Sequence, residues 1–163
     1  MHHSDFIKIM AKFYVPERCF KRGKSCDSYN TFVQKDDVTY LELGIRKGTT
    51  FNRVAPLFNQ AIAVDSDPNA KKYIKVDNST FFNMTTDEFF EKKMDLKVDF
   101  AFIDADHEYT QLIKDFQSTF KITHEGGLIL LHDTHPADYF KLRQEQCNTA
   151  FIAASYIRDN FVD

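Results

Sequence analysis

Tyr40-Leu41-Glu42-Leu43-Gly44-Ile45-Arg46-Lys47-Gly48-Thr49-Thr50-Phe51 is the stretch on which the reading of this chain turns. The alternating run from Val38 to Leu43 describes a buried strand; it ends on a carboxylate and a glycine, and Gly48 opens a segment of helical spacing. The order is strand, tight turn, helix. Gly44 lets backbone approach a ligand with no Cβ in the way, and Gly48 stands where a helix N-terminus offers unpaired N–H groups. The turn reads either as a ligand cradle or as an ordinary strand-to-helix turn.

Spacing narrows what such a cradle would hold. A dinucleotide fingerprint needs G-x-G-x-x-G, but counting from Gly44 the second and third places are Arg46 and Thr49. A phosphate loop needs G-x-x-x-x-G-K, and here three residues separate Gly44 from Gly48, with Lys47 before the second glycine. What remains is E-x-G-x-x-x-G. The Glu42 carboxylate would repel phosphate and suit a ligand carrying an ammonium group.

Working outward, Ser4 to Phe13 has a helical apolar face capped by Ser4 or Asp5, with Pro16 expected to stop it. Residues 16 to 37 are mixed and polar, a short helix or irregular cap. After the central turn, Thr49 to Phe58 puts Phe51, Val54, Ala55 and Phe58 on one face, with Pro56 ending or kinking it. Ala61 to Asp65 is a second strand. A short helix from Asn69 to Tyr73 takes Asp67 as cap and Pro68 at its first position. A third strand is placed around Phe81 to Met84, then a helix capped by Thr85 or Thr86 that runs to about Lys93. Val98 to Asp104 is the clearest strand. Tyr109 to Ile122 is a helix with Leu112, Ile113, Phe116 and Phe120 inward. Gly126-Gly127 turns the chain into a strand from Leu128 to His132, and Asp138 to Phe161 reads as largely helical. Strands alternating with helices predict βαβ units and a parallel sheet covered on both faces.

Composition agrees with one packed core. The chain has 163 residues, 43% of them hydrophobic, with 17 Phe and no Trp. No apolar run reaches the ~18 residues of a membrane span and no signal-peptide pattern opens the chain, so a soluble cytoplasmic protein with no membrane partner is the default. Cys19, Cys26 and Cys147 lack a C-x-x-C spacing, which argues against a disulfide framework and a structural zinc site. A net charge of −3 gives no overall pull toward nucleic acid, although Arg18, Lys21, Arg22 and Lys24 form a local basic cluster, either solvated or set to hold an anionic acceptor.

In an open parallel sheet, ligands bind outside the carboxyl ends of the strands. Those ends are Glu42, Asp65, Met84-Thr85, Asp104 and His132-Asp133. Asp65 lies 23 residues after Glu42, near the spacing at which an acid accepts bonds from ribose hydroxyls, though it could equally cap the following turn. Asp104, His132 and Asp133 would give an oxygen-rich site with one imidazole, suited to Mg²⁺ or Mn²⁺. His107 or His132 beside a carboxylate is a candidate general base. Against these, Asp106 or His107 could simply cap the helix at Tyr109, and His135 beside Pro136 reads as a loop residue.

The ordered set Glu42-Leu43-Gly44...Gly48, Ala63-Val64-Asp65, Met84-Thr85-Thr86-Asp87-Glu88, Phe102-Ile103-Asp104-Ala105-Asp106-His107 and Gly126-Gly127-Leu128 through Leu131-His132-Asp133-Thr134 resembles the class I S-adenosylmethionine-dependent methyltransferases. The likeness covers roughly residues 36 to 136. It is nearest the small-molecule and sugar O-methyltransferase-like branch with His-Asp-Thr after strand five. The resemblance implies an α/β, Rossmann-like, doubly wound parallel sheet. It also implies one methyltransferase-like domain over 1–163: an N-terminal helical cap (1–37), a cofactor-binding core (38–136) and a C-terminal helix (137–163). S-adenosyl-L-methionine would lie on Glu42, Gly44 and Gly48 with its methionine part, on Asp65 with its ribose and on Met84-Thr85 with its adenine, with Asp104 also lining the site.

By the same resemblance, Asp104, His132 and Asp133 occupy the positions of a divalent metal site that orients an acceptor hydroxyl, with His132 standing where that branch usually has Asp. Asp104, His107 and His132 are then the catalytic set, and a small-molecule hydroxyl compound is the acceptor. Relatives normally add an antiparallel hairpin after strand five, and this sequence has no residues for it. Five strands are therefore expected, with the outer edge covered by the C-terminal helix or by a partner subunit in a homo-oligomer, unless the chain is truncated. Two other readings remain: an inactive cofactor-binding module, and a glycosyltransferase whose D-x-D motif is Asp104-Ala105-Asp106.

Overall fold

The computed structural model describes residues 3–21, as backbone only from 15 on, together with 38–93, 95–143 and 146–161. The basic cluster, Cys19, Cys26 and the segment expected over 22–37 lie outside the side chains so described. Strands β1 (Thr39–Leu43), β2 (Gln60–Asp65), β3 (Ser79–Asn83), β4 (Val98–Ile103) and β5 (Thr123–Leu131) form one parallel sheet in the order β3-β2-β1-β4-β5. Helices α1 (His3–Lys21), α2 (Thr49–Val54), α3 (Thr86–Lys92), α4 (Tyr109–Ile122) and α5 (Ala150–Phe161) cover it. The strand order reverses between β1 and β4, and a crevice opens there at the carboxyl ends.

Alternation along the strands makes two cores. Tyr40, Ala61, Ala63, Phe100 and Phe102 face α1 and α2, while Leu41, Leu43, Ile62, Val64, Ala101 and Ile103 face α3, α4 and α5. On the first face the small alanines of β2 leave room for rings: Tyr40 stacks on Phe58 at 5.2 Å and Phe58 meets Phe100 at 5.4 Å. Each such buried ring contributes about 1.5–3 kcal/mol by leaving water.

Several elements differ from the sequence expectation. Helix α1 does not stop at Pro16 but continues to Lys21. Strand β5 begins at Thr123, ahead of the two glycines. Its pairing with β4 jumps from Val98↔Thr123 to Phe100↔Leu128, so Gly126 and Gly127 sit in a bulge, with Gly126 at φ 71°. The stretch from Asp138 is not one helix. A 3₁₀ turn spans Tyr139–Leu142, and α5 starts only at Ala150. Phe120 is not inward: it is 52% exposed at the end of α4, against Phe116 and Phe161. The cap of α4 is neither Asp106 nor His107 but Glu108, which accepts from the N–H groups of Thr110 and Gln111.

Other expectations agree. Pro56 ends α2 by turning it into a 3₁₀ segment, and Asp67 caps the 3₁₀ turn Pro68–Tyr73. Helix α5 buries Ala150, Ala153 and Ile157 in the core shared with α4, which Ile129 and Leu131 of β5 border. None of the described helices is long and apolar enough to cross a membrane.

Candidate active site

The hydrogen-bond ladder runs one residue past the strands and locks their ends into one row. Gly44 N–H donates to Val64 O, Asp104 N–H to Leu43 O, and His132 N–H to Ile103 O, at 2.8, 2.8 and 3.0 Å. Gly44 has φ 81°, and a Cβ there would come within 2.3 Å of the Asp104 carbonyl oxygen. Only glycine lets the β1 turn pass the β4 turn so closely. Gly48, at φ 65°, packs against the Tyr73 carbonyl at the start of α2, between Lys47 and Thr49, which line a second cleft.

A cleft of about 530 Å³ lies between these turns, lined in part by Gly44, Asp65, Met84, Thr85, Asp104 and Gln111. Both carboxylate oxygens of Asp65 accept backbone N–H groups: Oδ2 from Arg46 and Oδ1 from Asp67, each at 2.8 Å. Asp65 therefore ties the glycine turn to its own loop while lining the cleft. Thr85 holds the α3 start in a capping box with Glu88, so the Met84-Thr85 wall is fixed by the helix behind it.

A second cleft of about 610 Å³ shares Arg46, Asp104, Ala105 and Asp106 with the first and adds Glu42, His107, His132 and Asp133. Glu42 is 1% exposed, and Tyr40 Oη donates to its Oε2 at 2.5 Å. Burial pushes the Glu42 carboxyl well above its ordinary range, against the bond from Tyr40. A cation brought beside this buried acid would favour its charged form.

Asp104 is the hub of this cleft. His107 Nε2 lies 3.2 Å and His132 Nδ1 2.8 Å from its Oδ1, and Asp133 Oδ2 stands 3.5 and 3.3 Å from the two Nδ1 atoms. His107 Nδ1 also bonds to the Gln146 carbonyl. The approach of His132 to Asp104 is close but poorly angled, and its Nδ1 is left without a hydrogen-bond partner among the described residues. Burial raises the Asp104 carboxyl, yet the two imidazoles outweigh it and hold the group below the usual range. The bond to Asp104 lifts His107 to about 9; burial works against His132, but Asp104 still raises it. At neutral pH, without another cation, the His107 ring carries a proton and is not a ready base.

Sequence reasoning named Asp104, His107, His132 and Asp133, and the structure brings them together. It missed His3, whose ring stands 4.6 Å from that of His132 and whose Nε2 meets Thr50 Oγ1 at 3.1 Å. It missed Gln111, which reaches from α4 to Thr86, Asp87 and Asp115 and lines the first cleft. It also missed Arg46, a non-glycine residue at φ 49° on the wall common to both clefts. No local pattern marks His3 or Gln111.

A family model described as a methyltransferase domain matches residues 41–134, more than half of the chain, and the chain belongs to that family, with the class I S-adenosylmethionine-dependent fold.

Among solved structures, a Staphylococcus aureus protein provisionally described as a caffeoyl-CoA O-methyltransferase superposes over 97% of this chain and 90% of its own, with TM-score 0.62 and 13% identity. The N-methyltransferase NodS of Bradyrhizobium japonicum covers 73% of this chain and 71% of its own at TM-score 0.55 and 15% identity. The MycE methyltransferase of the mycinamycin pathway, in complex with Mg and SAH, covers 89% of this chain and 45% of its own at TM-score 0.54 and 14% identity. An uncharacterized protein of Acanthamoeba polyphaga mimivirus is 29% identical over 126 residues, 64% of this chain and 54% of that protein. The chain thus spans about half the length of this curated relative.

Proposed function

We propose that the protein transfers the methyl group of S-adenosylmethionine to a hydroxyl of a small molecule. The observation that carries this reading is the meeting of two clefts at Asp104: one walled by Gly44, Asp65 and Met84, the other by Glu42 and the imidazole-carboxylate cluster. The donor occupies the first, with Asp65 on the ribose, Met84-Thr85 beside the adenine, and the methionine part passing Gly44 toward Glu42. The acceptor enters the second. The sulfonium already activates the methyl, so the protein's work is to align the acceptor oxygen and take its proton while the donor leaves as a neutral thioether.

Asp104, His132 and Asp133 would hold a divalent ion that orients the acceptor. His132 Nδ1 stands 2.8 Å from Asp104 Oδ1 and 3.3 Å from Asp133 Oδ2, a mix of imidazole and carboxylate donors that such an ion accepts. His107 would then keep Asp104 in place.

Calorimetry with S-adenosylmethionine and S-adenosylhomocysteine tests the donor site. Binding is expected, and Asp65→Ala should weaken it by about 1–3 kcal/mol through loss of charge-assisted bonds. No heat from either ligand would remove the donor reading. A panel of catechol, sugar and amine acceptors then tests the hydroxyl preference, with methylation only of the amines as the contrary result.

A further inference from the structure

We propose that His3 joins Asp104 and His132 as a ligand of a divalent transition ion, making the second cleft a two-imidazole, one-carboxylate site that prefers Zn²⁺, Fe²⁺ or Co²⁺ over Mg²⁺. This rests on the reading of the second cleft as an ion site and changes both the ligand set and the ion expected from the strand ends alone.

Three observations converge. Ligand atoms of His3, Asp104 and His132 all lie within 4.8 Å of one another, although the residues come from α1, the end of β4 and the end of β5. His132 Nδ1 stands 2.8 Å from Asp104 Oδ1 at an angle unsuited to a hydrogen bond, and it is shielded from solvent with no such partner among the described residues. Two ligand atoms on bonds of ~2.1 Å are ~3 Å apart at right angles and ~3.4 Å at the tetrahedral angle, so small movements would let the pair share an ion. Third, His3 is held there by dedicated contacts. Arg53 of α2 donates to Ser4 Oγ at 2.7 Å and pairs with the Asp5 carboxylate, while Thr50 meets the His3 ring.

The rival set is His107, His132 and Asp133. His107, however, spends one ring nitrogen on the Gln146 carbonyl and the other on Asp104, which suits a residue that orients a ligand from behind. With His3 included, two nitrogen donors face one carboxylate. Imidazole favours the later transition ions, whereas Mg²⁺ demands oxygen.

The test uses the metal-free chain titrated with Co²⁺, Zn²⁺ and Mg²⁺, read by calorimetry and by the visible absorption of bound Co²⁺. One equivalent of Co²⁺ and of Zn²⁺ is expected to bind, with Mg²⁺ at least tenfold weaker. His3→Ala should lose at least tenfold in Co²⁺ affinity and shift the Co²⁺ spectrum, while circular dichroism shows the fold retained. The proposal is overturned if His3→Ala binds as the parent does while His107→Ala does not, since the ion then sits on the rival set. It is equally overturned if no ion binds, or if His2→Ala alone abolishes binding, the mark of a chelate formed by the N-terminal histidine pair. S-adenosylhomocysteine titrated into the same samples reports on the donor cleft separately, so loss of the ion site and loss of the methyltransferase reading are distinguishable.

Discussion

Gly44 carries two constraints at once, a left-handed φ of 81° and a backbone contact that leaves no room for a methyl group. Because the obstructing atoms belong to the Asp104-Ala105 main chain, a side-chain rotation cannot relieve the clash. Gly44→Ala should therefore cost about 2–4 kcal/mol in urea unfolding, and in whatever protein remains folded it should displace Asp104 and weaken S-adenosylhomocysteine binding. Asp115 is a different kind of constraint. It is 1% exposed on α4, accepts from Gln111 at 2.9 Å and leaves Oδ2 without a partner among the described residues.

Burial lifts the Asp115 carboxyl to about 6, partly offset by Thr86 and Gln111, with Asp87 and Asp106 adding to the rise. The unfolded chain releases this proton near pH 4. Below about pH 4 both states hold the proton and there is no penalty. Between about 4 and 6 the unfolded state is favoured increasingly, and above 6 the native state bears the full cost, roughly 2–3 kcal/mol. Asp115→Asn keeps an acceptor for Gln111 and removes the charge. Its melting temperature should exceed the parent's at neutral pH, with the gap closing as pH falls toward 4. An equal gap at both pH values would show that the Asp115 carboxyl is not raised in the native protein.

At the scale of elements, the start of α3 is the best-determined local feature. Thr85 Oγ1 accepts from Glu88 N–H at 3.3 Å, and Glu88 Oε2 accepts from Thr85 N–H at 2.9 Å. Thr85→Ala should lower stability by about 0.5–2 kcal/mol, measured by urea unfolding, and loosen the wall of the first cleft. The Thr-Thr-Asp-Glu run announces this cap, because its hydrogen bonds close within three residues. Helix α4 shows the limit of such reasoning: Asp106, His107 and Glu108 all precede Tyr109, and only the backbone path decides that Glu108 caps while His107 turns toward Asp104. Helix α1 likewise reads as an amphipathic helix with no address. Its address is set by Arg53, which clamps Ser4 and Asp5 to α2.

Across the whole molecule, β5 stands at one edge of the sheet, and Leu128, Ile129, Leu130 and Leu131 are only half-buried. Helix α5 covers one face beside α4 and leaves the edge hydrogen bonds without a strand partner among the described residues. The Leu128–Leu131 part of this edge carries no charge, and such an apolar edge is prone to pair with another chain. Association of two copies along β5 should make amide exchange at Leu128–Leu131 slower at high than at low protein concentration. Equally fast exchange at both, in a monomer by light scattering, would rule this pairing out.

The parallel sheet and the polar residues at its strand ends were legible in the sequence. Strands buried on both faces must be continuous apolar runs, and a run that stops at Glu42, Asp65, Asp104 or His132 marks where the chain leaves the core for the binding edge. The runs do not encode which ends become neighbours. The order β3-β2-β1-β4-β5 brings the Asp104 backbone over Gly44 and stands His132 beside His107. The clamp of α1 on α2 brings His3 to His132 across the length of the chain. Local periodicity reports which face a residue buries, because that depends on neighbours a few positions away. The partners of Gly44, His3 and Asp115 depend on how separate elements pack, and only the tertiary structure decides them.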